Sequence, residues 1–98
     1  MFVSGQIAID PKTNTFRQGT IEEEAVLVLD NIKAILEASG SSLDHALKVT
    51  VYLHDLNDFA QMNAIYERYF TKRPARATIQ AVALPKNAKL EIDVIAKG

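Results

Sequence analysis

Arg76 and Glu91 are the side chains in this sequence with the clearest chemical potential. Arg76 follows Pro74-Ala75 at the start of a predicted strand. A guanidinium there can grip a carboxylate through two parallel hydrogen bonds, or serve in a surface or interface salt bridge. Alternation puts Arg76 on one face with Thr78, Gln80 and Val82, which is expected to be the face that no helix covers. Glu91 lies in Leu90-Glu91-Ile92-Asp93-Val94 and shares a face with Asp93 and Ile95. A carboxylate on a sheet face can activate water if the site is enclosed; otherwise it is a solvated strand residue.

Other candidates carry weaker signals. Gly5, in Ser4-Gly5-Gln6, marks a bulge or a place where backbone groups approach a ligand. Ser4 has no histidine nearby and no nucleophile-elbow pattern around it. Asn63 falls at the edge of a helical apolar stripe, where an amide could orient a loop, contact a partner or simply face solvent. Tyr66 and Tyr69 repeat at helical spacing with Phe59 and Phe70, which points to core packing. His45 and His54 are isolated, so no metal site is expected. The absence of cysteine removes disulfides and a thiol nucleophile.

Several elements must position these groups. Residues Met1 to Ile9 favour a strand, and Asp10 to Asn14 is turn chemistry. Thr20-Ile21-Glu22-Glu23 matches a capping box, followed by Ala25, Val28, Leu29, Ile32, Ile35 and Leu36 on one helical stripe. Gly40 is the expected stop. Leu47, Val49, Val51 and Leu53 alternate as a strand with one apolar face. A second amphipathic helix runs from the Asp55–Asp58 region to Arg73-Pro74. Ala75 to Ala83 and Leu90 to Ala96 supply two more strands. Both helices should cover one face of a single sheet. Apolar Val82 and Ile95 on the other face suggest burial against further copies.

The chain has 98 residues, enough for one domain with a modest core. Its 11 basic and 12 acidic residues leave no basic stripe, which argues against nucleic acid as the main partner. The apolar N-terminus lacks the basic flank of a signal peptide, and no apolar run approaches the ~20 residues of a membrane span. A cytoplasmic protein is expected.

Taken together, these segments resemble the Rid family, the reactive intermediate deaminases also called YjgF. Ser4-Gly5-Gln6-Ile7 through Asp10-Pro11-Lys12-Thr13 looks like the family's opening segment. Leu29 to Leu36 with Ala38-Ser39-Gly40 resembles its first helix, and Lys48 to Leu53 with Asp55 to Phe59 its next strand and helix start. Pro74 to Thr78, Leu84-Pro85 and Glu91-Ile92 resemble its signature region. The match spans essentially the whole chain, in order.

The resemblance implies a chorismate-mutase-like α+β fold over residues 1–98, with two helices on one face of a sheet, and a homotrimer with clefts between subunits. It implies that Arg76 binds a substrate carboxylate and that Glu91 positions or activates the hydrolytic water. Gly5 and Thr78 would line the cleft through backbone groups, with Asn63 near the same pocket. The substrates would be 2-imino acids and their enamine tautomers, hydrolysed without metal or cofactor to 2-keto acids and ammonia. The alternatives are an RNA-directed role, since relatives are also labelled endoribonucleases or translation inhibitors, and a non-catalytic ligand-binding trimer. Two departures stand out. Thr78 occupies a position often held by cysteine. The chain also begins where the family has some two dozen residues already behind it, including a first strand and a Gly-Pro-Tyr segment, so an exposed sheet edge is expected.

Overall fold

The computed structural model describes residues 1–98, and its longest element starts where the capping signal lies. Helix α1 spans Ile21–Ala38. The Thr20 hydroxyl accepts from Glu23 N at 3.1 Å, while Glu23 Oε1 accepts from Thr20 N at 2.9 Å, so the box satisfies two donors that an uncapped helix would leave open. At the far end Gly40 takes φ 82°. Gly40 N then donates to Glu37 O and Ser41 N to Leu36 O, the paired closure that a left-handed residue permits.

Strands β1 (Phe2–Gln6), β4 (Ala46–Leu53), β5 (Ala75–Gln80) and β6 (Leu90–Ala96) form one sheet in the order β1-β6-β4-β5. β1 and β4 run antiparallel to β6, and β5 runs parallel to β4. That parallel step needs a crossover, supplied by helix α2 (Phe59–Tyr69). The short strands β2 (Ile9–Asp10) and β3 (Thr15–Phe16) form a separate hairpin. The segment expected as one strand from Met1 to Ile9 is therefore broken, with an irregular register between Val3 and Gln6 around Gly5.

Both helices cover one face of the four-stranded sheet. Val28, Leu29, Ile32 and Leu36 of α1 and Met62, Ile65 and Tyr66 of α2 meet Val49, Val51, Leu53, Leu90, Ile92 and Val94 in one core. Each such large side chain contributes about 1.5–3 kcal/mol when fully buried. Leu47 departs from the expected apolar row. The β4–β6 register shifts between Ala46 and Lys48, and Leu47 is exposed. The strand expected through Ala83 ends at Gln80, because its partner β4 ends at Leu53, whose carbonyl takes a last bond from Ala81 N at 2.8 Å. Val82 thus lies in an exposed turn beyond the sheet rather than on its open face. Phe2, Ile79 and Ile95 are the large aliphatic or phenyl side chains on that face, by their pairing with Ile95, Tyr52 and Lys48.

Candidate functional site

Arg76 is on the face that the helices cover, contrary to the alternation-based expectation. In the parallel β4–β5 ladder Arg76 stands beside Val49 and Thr78 beside Val51, and both valines are buried beneath the helices. Alternation fixes which residues share a face but not which face a helix takes; the crossover through α2 decides that. The guanidinium consequently meets α2. Nη1 donates to Asn63 Oδ1 at 2.5 Å, and the guanidinium carbon lies 4.5 Å from the Tyr66 ring centroid and 5.3 Å from that of Phe59. The aromatic faces hold the cation while leaving most of its N–H groups free. The two ion pairs of the chain are Arg17–Asp10 and Lys89–Glu24, so no carboxylate neutralises Arg76.

Asn63 is itself oriented. Its Nδ2 donates to Glu67 Oε1 at 2.7 Å, which turns the amide oxygen toward Arg76. These residues line a cavity of about 380 Å³ with Tyr66, Phe70, Arg73 and Pro74. Burial pushes the Tyr66 phenol up, opposed by the Arg76 charge. The Tyr66 hydroxyl and Thr78 Oγ1 are buried with no hydrogen-bond partner, and polar groups in that condition favour an incoming partner.

Glu91 and Gly5 lie on the opposite, open face. Glu91 pairs with Tyr52, and its neighbours Leu90 and Ile92 point into the core. A Cβ on Gly5 would overlap Glu91 Oε2 and stand 2.7 Å from Cδ, so the absence of a side chain at position 5 is what makes room for the carboxylate. Tyr52, next to Glu91, is held above the usual phenol range by the charge of Asp93 first, then by desolvation, its hydrogen bond to Asp93 and the charge of Glu91. The structure therefore groups Arg76, Asn63 and Thr78 on one face and Glu91 with Gly5 on the other.

Some contributors were not singled out from the sequence. Glu24, one of three acids suited to the helix dipole, is buried; it accepts from Lys89 N at 2.9 Å and Gly19 N at 3.2 Å. With His54 N donating to Lys89 O at 3.0 Å, this pins the backbone two residues before Glu91. Helical spacing could have found Glu24: it falls three residues after Ile21 and four before Val28, on the apolar stripe, whereas Glu22 points away and Glu23 closes the capping box. Glu67 could have been found, since it sits four residues after Asn63 on the same helix face, and Tyr66, expected to pack the core, does so while also lying under Arg76. No three His, Asp or Glu side chains converge to hold a metal ion, and no helix is long and apolar enough to cross a membrane.

The sequence model of the endoribonuclease L-PSP family matches residues 1–97. A RutC family protein of Pyrococcus horikoshii is 52% identical, over 98% of this chain and 77% of its own. Among solved structures, a Rid family protein of Yersinia pestis superposes with a TM-score of 0.95 at 40% identity, covering 99% of this chain and 79% of the other. Escherichia coli TdcF with bound serine gives a TM-score of 0.91, also at 40% identity, with coverage of 99% and 79%.

Proposed function

Because this chain belongs to the Rid (YjgF, endoribonuclease L-PSP) family, we propose that it hydrolyses 2-imino acids such as 2-iminopropanoate and 2-iminobutanoate to 2-keto acids and ammonia. The observation that carries this reading is Arg76. A guanidinium held by Asn63 and two aromatic rings, facing a cavity and lacking any carboxylate partner, is prepared for an anion of carboxylate shape. The serine bound by TdcF, a relative, is likewise a small amino acid with a carboxylate.

The chemistry asks little of the protein. Arg76 holds the carboxylate of the imine, Glu91 takes a proton from water, and the water oxygen bonds to the imine carbon as that proton is passed on to the nitrogen. The resulting carbinolamine gives its hydroxyl proton, by way of Glu91, to the nitrogen as the C–N bond breaks, leaving the keto acid and releasing ammonia. Rate comes from placing water against an already electrophilic carbon. Since Arg76 and Glu91 occupy opposite faces of one sheet, they can meet only across a boundary between copies. The apolar Phe2, Ile79 and Ile95 on the open face support the family's homotrimer, with clefts between subunits lined also by Gly5 and Thr78. A small-molecule role in the cytoplasm fits this reading.

The family description favours a second reading, cleavage of RNA. The near balance of 11 basic and 12 acidic residues supplies no stripe to track phosphates. One experiment decides: ammonia release from imines generated by a dehydratase, run beside RNA cleavage on the same preparation. Ammonia release accelerated with RNA left intact supports hydrolysis; the reverse overturns it. Saturable binding of keto acid with neither activity would leave a ligand-binding trimer.

A further inference from the structure

The cavity beneath α2 carries a second guanidinium besides that of Arg76. Arg73 lines it three residues before Arg76. Its own side chain makes no ion pair and no hydrogen bond, so with a substrate carboxylate on Arg76 it is left as a cation without an anion within ion-pair distance. Glu67, also in the wall, has a carboxylate oxygen committed to Asn63 at 2.7 Å and does not reach either arginine. Arg73 is also held in an unusual backbone state. It takes φ 54° immediately before Pro74, and its N–H donates to Phe70 O at 3.3 Å. A non-glycine residue in the left-handed region is uncommon, and such outliers cluster at active sites and ligand clamps.

We propose that Arg73 makes this cavity selective for 2-imino acids bearing a second carboxylate, the four- and five-carbon dicarboxylic kind, over monocarboxylic ones. Arg76 takes the carboxylate next to the imine and Arg73 the distal one, each with a fork matched to two oxygens. A cavity of about 380 Å³ has room for both. This deepens the imine-hydrolase reading and rests on it for the role of Arg76.

The test uses the stable keto-acid products, so that binding is read apart from catalysis. 2-Oxoglutarate and 2-oxobutanoate are titrated by calorimetry into the parent protein, Arg73→Gly and Arg73→Glu. Glycine suits the left-handed turn, so Arg73→Gly removes the side chain and keeps the backbone; thermal melts verify folding. The parent is expected to favour 2-oxoglutarate on the order of fivefold, the scale of one partly exposed ion pair. That ratio should fall toward one in Arg73→Gly and below one in Arg73→Glu. Equal affinities in the parent, a ratio unchanged in both variants, or no binding of either acid overturns the proposal. Inorganic phosphate binding as tightly as 2-oxoglutarate also overturns it, assigning the cavity to a generic anion. If discrimination persists but no imine is hydrolysed, the catalytic reading fails while the preference of the cavity stands.

Discussion

Arg76 and Glu91 stand on opposite faces of the same four-stranded sheet. Arg76 is in register with buried Val49, whereas Glu91 is in register with Tyr52, one step away from buried Val51 and Leu53 on the alternating strand. No rotamer brings them together through a hydrogen-bonded sheet. A site that uses both must take one from each of two copies, and mixed oligomers can reveal this. Arg76→Ala and Glu91→Gln proteins, each impaired alone, should regain activity when dissociated and reassembled together. Random assortment in a ring gives roughly a quarter of the clefts both functional groups. A mixture no more active than the separate variants would refute the shared site.

Gly5 reserves the space that Glu91 uses. A methyl at position 5 would overlap the carboxylate, the flexible end of a side chain rather than backbone, so the chain can yield without unfolding. Gly5→Ala should therefore leave the melting temperature within a few degrees of the parent, about 1 kcal/mol or less, yet lower kcat by displacing the carboxylate. Calorimetry and single-turnover assays on one sample check this. A variant that unfolds instead, or retains full kcat, contradicts it.

The two proposed roles differ kinetically. Loss of the Arg76 fork removes two charge-assisted hydrogen bonds, so Arg76→Ala should reduce kcat/KM roughly a hundredfold or more, with Arg76→Lys intermediate. Glu91→Gln should lower kcat with little change in keto-acid affinity, since it removes a base and not an anchor. If Glu91→Gln weakens binding and spares kcat, the assignments must be exchanged.

Tyr69 links the helices through a 2.7 Å hydrogen bond to Asp30. Burial, then this bond and the Asp30 charge, push the phenol from 10.0 up to about 12. A pKa raised by folding means that the neutral form is favoured in the native state. The stabilisation is thus complete below pH 10, the unfolded value, and is lost as pH rises toward about 12. Denaturant midpoints should fall across this window in the parent and less steeply in Tyr69→Phe. Parallel slopes would show that Tyr69 does not carry the alkaline loss.

Local code was legible without the fold. The Thr20–Glu23 capping box and the left-handed stop at Gly40 each rest on contacts within a few residues, and the two-helix, one-sheet architecture follows from periodicity. Arg76, Asn63, Thr78, Gly5 and Glu91 were all visible as candidates. What the sequence left open was which of them meet. Period-two alternation assigns faces only relatively, so it could not say that α2 would lie over Arg76 or that β5 would end with its partner at Leu53. The pairing of Glu24 with Lys89, 65 residues away, likewise had no local signal. Those outcomes depend on how strands at long separation choose partners and which side the connecting helix returns on, and only the packed tertiary structure decides them.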